Sequence, residues 1–154
     1  GVTTAGNASS LDDGAAALVV ASAADAAKRG AKPLARIVGY AQHAQAPQWF
    51  TTAPAEAIAK LLAQHGLSVG DIDLFEINEA FAVVAMNVAD KIGAPYDKVN
   101  VNGGAVALGH PIGMTGARLV LTAIHELRRR GARYAVASPC IGGGEATAML
   151  IEAL

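Results

Sequence analysis

Cys140 is the only thiol in the chain of 154 residues, and it stands after Pro139 and before Ile141 and the glycines Gly142, Gly143 and Gly144. A structural cysteine ordinarily sits inside an apolar strand, whereas bare glycine backbone beside a thiol lets amide N–H groups point at a bound group. His110 lies in the run Gly103-Gly104-Ala105-Val106-Ala107-Leu108-Gly109-His110-Pro111-Ile112-Gly113. The proline after it biases it to extended backbone at a loop rim, where an imidazole is available for chemistry. His43, His65 and His125 fall in a loop and on predicted helices and read as structural. A third cluster, Asn78-Glu79-Ala80-Phe81-Ala82, leads into a helical apolar pattern. From spacing alone, Asn78 reads first as an N-cap that satisfies free backbone amides. The glycine-rich run lacks the Gly-Lys-Ser/Thr ending of a P-loop and the glycine spacing of a dinucleotide site, which argues against a nucleotide.

These clusters need a scaffold. Residues 15–20 form an apolar run that suits a buried strand, and residues 25–29 a brief helix closed by Gly30. Residues 34–40 have the β-branched content of a strand, and residues 42–52 read as a loop containing Pro47. Pro54 opens a helix whose stripe of Ile58, Leu61 and Leu62 ends at Gly66. A loop and strand cover residues 71–77, a helix residues 80–92, and a short strand residues 99–101. After the glycine-rich loop a long helix runs to Arg130, and strands at residues 134–138 and 146–151 flank a tight turn at residues 141–144. Alternating strands and helices predict an α/β fold, a mixed, mostly parallel five-stranded sheet with helices on both faces and one antiparallel edge. The three clusters fall where strands end, which is where open α/β sheets place ligands.

Composition narrows the function classes. With 53% hydrophobic residues the chain can fill one core, and a formal charge of -1 provides no field for nucleic acid. The basic run Arg128, Arg129 and Arg130 reads as a cap complementing a helix dipole. No apolar stretch reaches the roughly 20 residues of a bilayer crossing, and the start lacks the layout of a signal peptide, so a cytoplasmic protein without membrane contact is expected. One cysteine excludes a disulfide framework and a multi-thiolate zinc site, and no metal is expected. The abrupt small-residue start suggests a fragment or a processed chain.

The three clusters, in this order and spacing, together with Thr4-Ala5-Gly6-Asn7-Ala8-Ser9, resemble motifs of the C-terminal half of thiolases. The likeness covers essentially the whole chain. It departs at Glu145, where many relatives carry an uncharged residue. It implies a layered thiolase-like fold in which residues 1–22 end the preceding half and add a strand, and residues 23–154 form the C-terminal domain. It also implies an acetyl-CoA C-acetyltransferase that makes or cleaves 3-ketoacyl-CoA.

By the same resemblance, Cys140 is the acid/base thiol, and the nucleophilic cysteine belongs to an N-terminal half. His110 activates that nucleophile, since a thiol of pKa ~8.5 reacts as thiolate and needs a basic neighbour, and also donates to the thioester oxygen. Asn78 holds a water completing that oxyanion hole, Gly142 gives its amide to a second hole, Ala5 and Ser9 contact the pantetheine of coenzyme A, and Ala80 and Phe81 line its channel. No cofactor is held permanently; acyl-CoA and acetyl-CoA are substrates. The expected partners are the N-terminal half and further copies in a homodimer or homotetramer. Residues 50–54 are candidates for the acyl pocket, and Val99-Asn100-Val101-Asn102 is more similar to the biosynthetic type. Two rival readings are a β-ketoacyl synthase relative, which usually pairs two histidines and lacks a second catalytic cysteine, and a non-enzymatic lipid-binding or assembly module.

Overall fold

The computed structural model describes residues 1–154. Its helices are α1 (Ala23–Lys28), α2 (Ala53–His65), α3 (Ala82–Ile92), α4 (Ala105–Leu108) and α5 (Ile112–Arg130), and its strands are β1 (Ala35–Ala44), β2 (Leu74–Ile77), β3 (Tyr134–Ser138), β4 (Cys140–Ile141) and β5 (Glu145–Ala153). The five strands form one sheet in the order β1-β5-β3-β2, with β4 also paired to β5.

Alternation along the strands decides the layers. Phe75, Ile77, Val136, Ala148 and Leu150 face α2 and α3 in one cluster, while Leu74, Ala135, Ala137 and Ile151 face Leu119, Ala123 and Leu127 of α5 in another. Side chains of period two on the sheet thus meet helical stripes on both sides. α2 carries Pro54 in its first turn and stops at Gly66, whose φ of 64° suits a residue without a Cβ. The chain belongs to the α/β layered class expected, with helices on both faces.

The pairing differs from the expectation of a mostly parallel sheet. Only β2 and β3 are parallel; β1, β3 and β4 all run antiparallel to β5. The tight return after Cys140 obliges β5 to lie antiparallel to β3, and β5 then separates β3 from β1. Helical crossovers in the sequence tell which strands share a direction; they do not tell which are neighbours.

The strand expected at residues 15–20 is not formed. Val19 and Val20 are 101% and 70% exposed, and no strand of the sheet pairs with this stretch. An extended run becomes a strand only where another edge takes its N–H and C=O groups. The strand expected at residues 99–101 reduces to one bridge between Val99 and Phe75, because Asn100 turns into the left-handed region at φ 46°. In the opposite direction, β1 continues to Ala44 through part of the expected loop, which closes with a 3-10 turn at Pro47–Thr52. No helix is long and apolar enough to cross a membrane.

Beneath α5 lies a buried ion pair. Glu76, 1% exposed on β2, accepts from Arg118 Nη1 at 3.3 Å. Burial outweighs the arginine and pushes the carboxyl up from 4.5 to about 7. The folded state therefore holds this proton more tightly than the unfolded chain does. Its stabilising contribution is complete below about pH 4.5 and is lost as pH rises through about 7, on the order of 3 kcal/mol in all. Glu76→Gln is expected to remove that fall. Denaturant unfolding of both proteins across pH 4.5 to 8, at one protein concentration, should show the wild type losing stability relative to the variant; parallel curves would contradict the burial account.

Candidate active site

His110, Cys140, Gly142, Ala80, Phe81 and Phe50 share the wall of one cleft of about 610 Å³. They arrive on four segments of the chain, and local sequence explains each arrival. Pro139 and the short β4 bring Cys140 back over the end of β3, and Gly144 makes the return. At φ 95° a side chain on Gly144 would strike the backbone carbonyl of Gln45, so glycine is required there. Gly142 sits exposed at the tip with open space around its Cα, as close approach of a ligand to its amide requires.

The loop bearing His110 is pinned from below. Asn100 acts as an extra rung on β2: its Oδ1 accepts from Ile77 N and its Nδ2 donates to Ile77 O, both at 2.8 Å. The same Nδ2 donates to Glu79 Oε1 at 2.9 Å, and Glu79 Oε2 accepts from the amide of Val106 in α4 at 3.1 Å. Gly104 passes so close to the Glu79 carboxyl that any Cβ would overlap it. His110 N lies 3.3 Å from both Ser10 O and Asp12 Oδ2, which ties the N-terminal segment to the rim.

Asn78 is not the helix cap that spacing suggested. The N-cap of α3 is Phe81, with no side-chain cap bond. Asn78 is fully buried, its N–H donates to Ser138 O at 3.1 Å, and its Nδ2 lies 3.2 Å from His110 Nε2, while its Oδ1 has no partner. A buried acceptor without a protein donor is an energetic defect unless a water or ligand supplies one. On the other side of the ring, His110 Nδ1 is 2.7 Å from Thr115 Oγ1.

Electrostatics favour uncharged groups. Burial first, and the Arg118 guanidinium second, lower the pKa of His110, so the ring is neutral at pH 7. Burial pushes the Cys140 thiol up, so it rests protonated.

The residues assigned to pantetheine separate into two groups. Ala80 and Phe81 line the cleft, and Phe81 meets Phe50 edge to face at 6.1 Å. Ser9 is just behind that wall, with its hydroxyl donating to Ala80 O at 3.0 Å and a bridge joining Ala8 to Phe81. Ala5 lies on an exposed turn and is not brought to the cleft wall.

Residues 31–153 match the family model described as Thiolase, C-terminal domain. Acetyl-CoA acetyltransferase 2 of Arabidopsis thaliana is 52% identical over 154 residues, covering 100% of this chain and 38% of that protein. The crystal structure of the Bacillus anthracis acetyl-CoA acetyltransferase superposes with a TM-score of 0.96 at 51% identity, over 98% of this chain and 38% of that one. Human mitochondrial 3-ketoacyl-CoA thiolase in complex with CoA also gives a TM-score of 0.96, at 47% identity over 99% of this chain and 38% of that one. The chain belongs to the thiolase family, as its C-terminal domain. It spans well under half the length of these relatives.

Thr115 joins the site unexpected, and Glu79 and Asn100, though they stand within the sequence motifs, had no role expected of them. For Thr115 a signal existed: a threonine in the first turn of a helix, four residues after Pro111, is placed to bond back to that carbonyl, and its Oγ1 is 2.9 Å from Pro111 O.

Proposed function

We propose that this chain is the C-terminal part of an acetyl-CoA C-acetyltransferase that condenses two acetyl-CoA molecules or cleaves a 3-ketoacyl-CoA, with its nucleophilic cysteine contributed by an N-terminal half. The observation that carries the reading is the meeting of a neutral His110 and the sole, protonated thiol Cys140 on one cleft.

In the condensing direction, the upstream cysteine gives its proton to His110 and its sulfur bonds to the acetyl carbonyl carbon as the bond to CoA sulfur breaks. The departing CoA thiolate takes the proton of Cys140. Cys140, now a thiolate, is the base that removes the α-proton of the second acetyl-CoA. The resulting enolate, whose oxygen accepts from protonated His110, attacks the acyl carbon; the upstream sulfur leaves and recovers its proton from His110. The two acetyl-CoA molecules become acetoacetyl-CoA and CoA, and every group returns to its starting state. A buried thiol that rests protonated suits this order, because it is an acid before it is a base.

Asn78 Oδ1 would accept from a water whose second hydrogen points to the enolate oxygen, which gives the orphaned acceptor a partner. Gly142 N–H would donate to the acyl-enzyme oxyanion, and one such donor contributes roughly 3 kcal/mol in the transition state. Ala80 and Phe81 would line the pantetheine channel with Ser9 supporting that wall, and Phe50 would bound the acyl end. The domain division would fall at residues 1–22 and 23–154, and the whole enzyme would assemble into homodimers or homotetramers. A cytoplasmic location is part of the same reading.

The test is thiolysis of acetoacetyl-CoA by the enzyme assembled from both halves, with single-turnover acylation measured separately. His110→Ala is expected to slow acylation about 10³-fold, within the range for general acid–base groups. Asn78→Ala acts on the water and on one face of the ring and should cost less, about 10- to 100-fold. An Asn78 defect as large as that of His110 would require a direct role for the amide, and an assembled enzyme without thiolysis would remove the reading itself.

A further inference from the structure

We propose that Thr115 is a positioning residue that fixes His110 in the tautomer carrying its proton on Nδ1, leaving Nε2 unprotonated. The proposal rests on the catalytic reading of His110 for its consequence but not for its geometry.

The geometry is a proton count. Thr115 Oγ1 has one hydrogen and two close neighbours: Pro111 O at 2.9 Å and His110 Nδ1 at 2.7 Å. Pro111 O, which also accepts from the Met114 and Thr115 amides, only accepts, and we assign the hydroxyl hydrogen to that contact, the usual back-bond of a threonine in a first helical turn. Thr115 can then meet Nδ1 only as an acceptor, and Nδ1 must carry the ring proton. A neutral imidazole has one N–H, so Nε2 holds a lone pair. The opposite side fits the same assignment: the Asn78 amide is oriented with Nδ2, a donor, 3.2 Å from Nε2. Two contacts on different segments therefore fit the same tautomer.

The hydroxyl is also held rigidly. Thr115 is 2% exposed and its acceptor Pro111 is buried, so water does not compete for either bond. Its location in the first turn of α5 joins the histidine to the longest helix of the fold, and the loop carrying His110 is separately pinned through Glu79. A bare Nε2 is what a base needs in order to accept the proton of a neighbouring thiol. The other tautomer presents N–H there and cannot accept. An orienting partner on the far ring nitrogen is how histidines are generally held to one tautomer.

Histidine-selective ¹⁵N labelling of this chain reads the tautomer, with the His110 signals identified by their loss in His110→Gln. The wild type and Thr115→Ser, which keeps the hydroxyl, are expected to show protonated Nδ1 and bare Nε2. Thr115→Val is expected to lose that preference. A wild-type proton on Nε2, a tautomer lost in Thr115→Ser, or an unchanged tautomer in Thr115→Val would each overturn the proposal, and the first two readings do not depend on whether the valine variant folds. In the assembled enzyme, Thr115→Val should lower kcat/KM for thiolysis about 10- to 100-fold while Thr115→Ser stays within about twofold. A tautomer that changes without loss of activity would leave this assignment standing and would remove His110 from the role of base.

Discussion

Replacing Cys140 with alanine or serine in the assembled enzyme is expected to abolish turnover while leaving acylation of the upstream cysteine measurable. In the proposed cycle, attack on the thioester is carried by that cysteine and His110. Cys140 enters when the CoA thiolate leaves and again when the α-proton is removed. Proton transfer by one positioned group contributes about 10²- to 10⁴-fold, and this thiol serves in two transfers of one cycle, so the upper end of that range is the expected loss. Serine does not rescue, because a buried hydroxyl is a far weaker acid than even a thiol that burial has pushed up. A burst of acyl-enzyme followed by no further product is the expected trace. If the burst disappears together with turnover, the two thiols do not divide the work in this way.

The parts of this site that were legible in the sequence are those where a residue of unusual chemistry stands beside residues that force its backbone. Pro111 beside His110, and Pro139 with three glycines around Cys140, mark loop rims at strand ends, and the fold puts both on one cleft. Asn78 was legible as a chemical group but not in its local role, because an asparagine before an apolar helical pattern has the spacing of a cap. In the fold, residues 78–81 stay outside the helix, and the Asn78 amide lies against His110. Asn100 carries no such mark, and Thr115 only the local one of its spacing from Pro111. Their roles depend on which ring nitrogen or strand edge the folded chain brings within 3 Å, and spacing does not give that. The sheet order was hidden for a similar reason: periodicity identifies a strand and its buried faces but not the neighbour that takes its hydrogen bonds. Residues 15–20 show the limit most clearly. Their apolar pattern is that of a buried strand, yet within this chain they have neither a cover nor a paired edge.

That unpaired run leads to the second large expectation: the chain alone should be catalytically inactive and should self-associate. Inactivity follows from the thiol count, since Cys140 is the only cysteine and the proposed cycle needs another to carry the acyl group. Self-association follows from the surface. Val19 is fully exposed, Ile112 is 75% exposed at the start of α5, and Tyr40 is 69% exposed on β1. Tyr40 is opposite Met149 on the sheet face that α5 covers only in part, so its side chain lies on the same side of the sheet as the helix. Exposed apolar side chains of this kind, together with the open edge of β1, are the combination that drives association of monomers. The core beneath it is complete, with clusters on both faces of the sheet, so the chain should fold before it associates. Sedimentation of the purified chain should therefore give dimers or larger species. Adding an N-terminal half that carries the nucleophilic cysteine should replace them with a defined complex that has thiolysis activity. A chain that stays monomeric at high concentration, or that cleaves acetoacetyl-CoA without added protein, would show that neither the exposed face nor the missing thiol has the meaning given to it here.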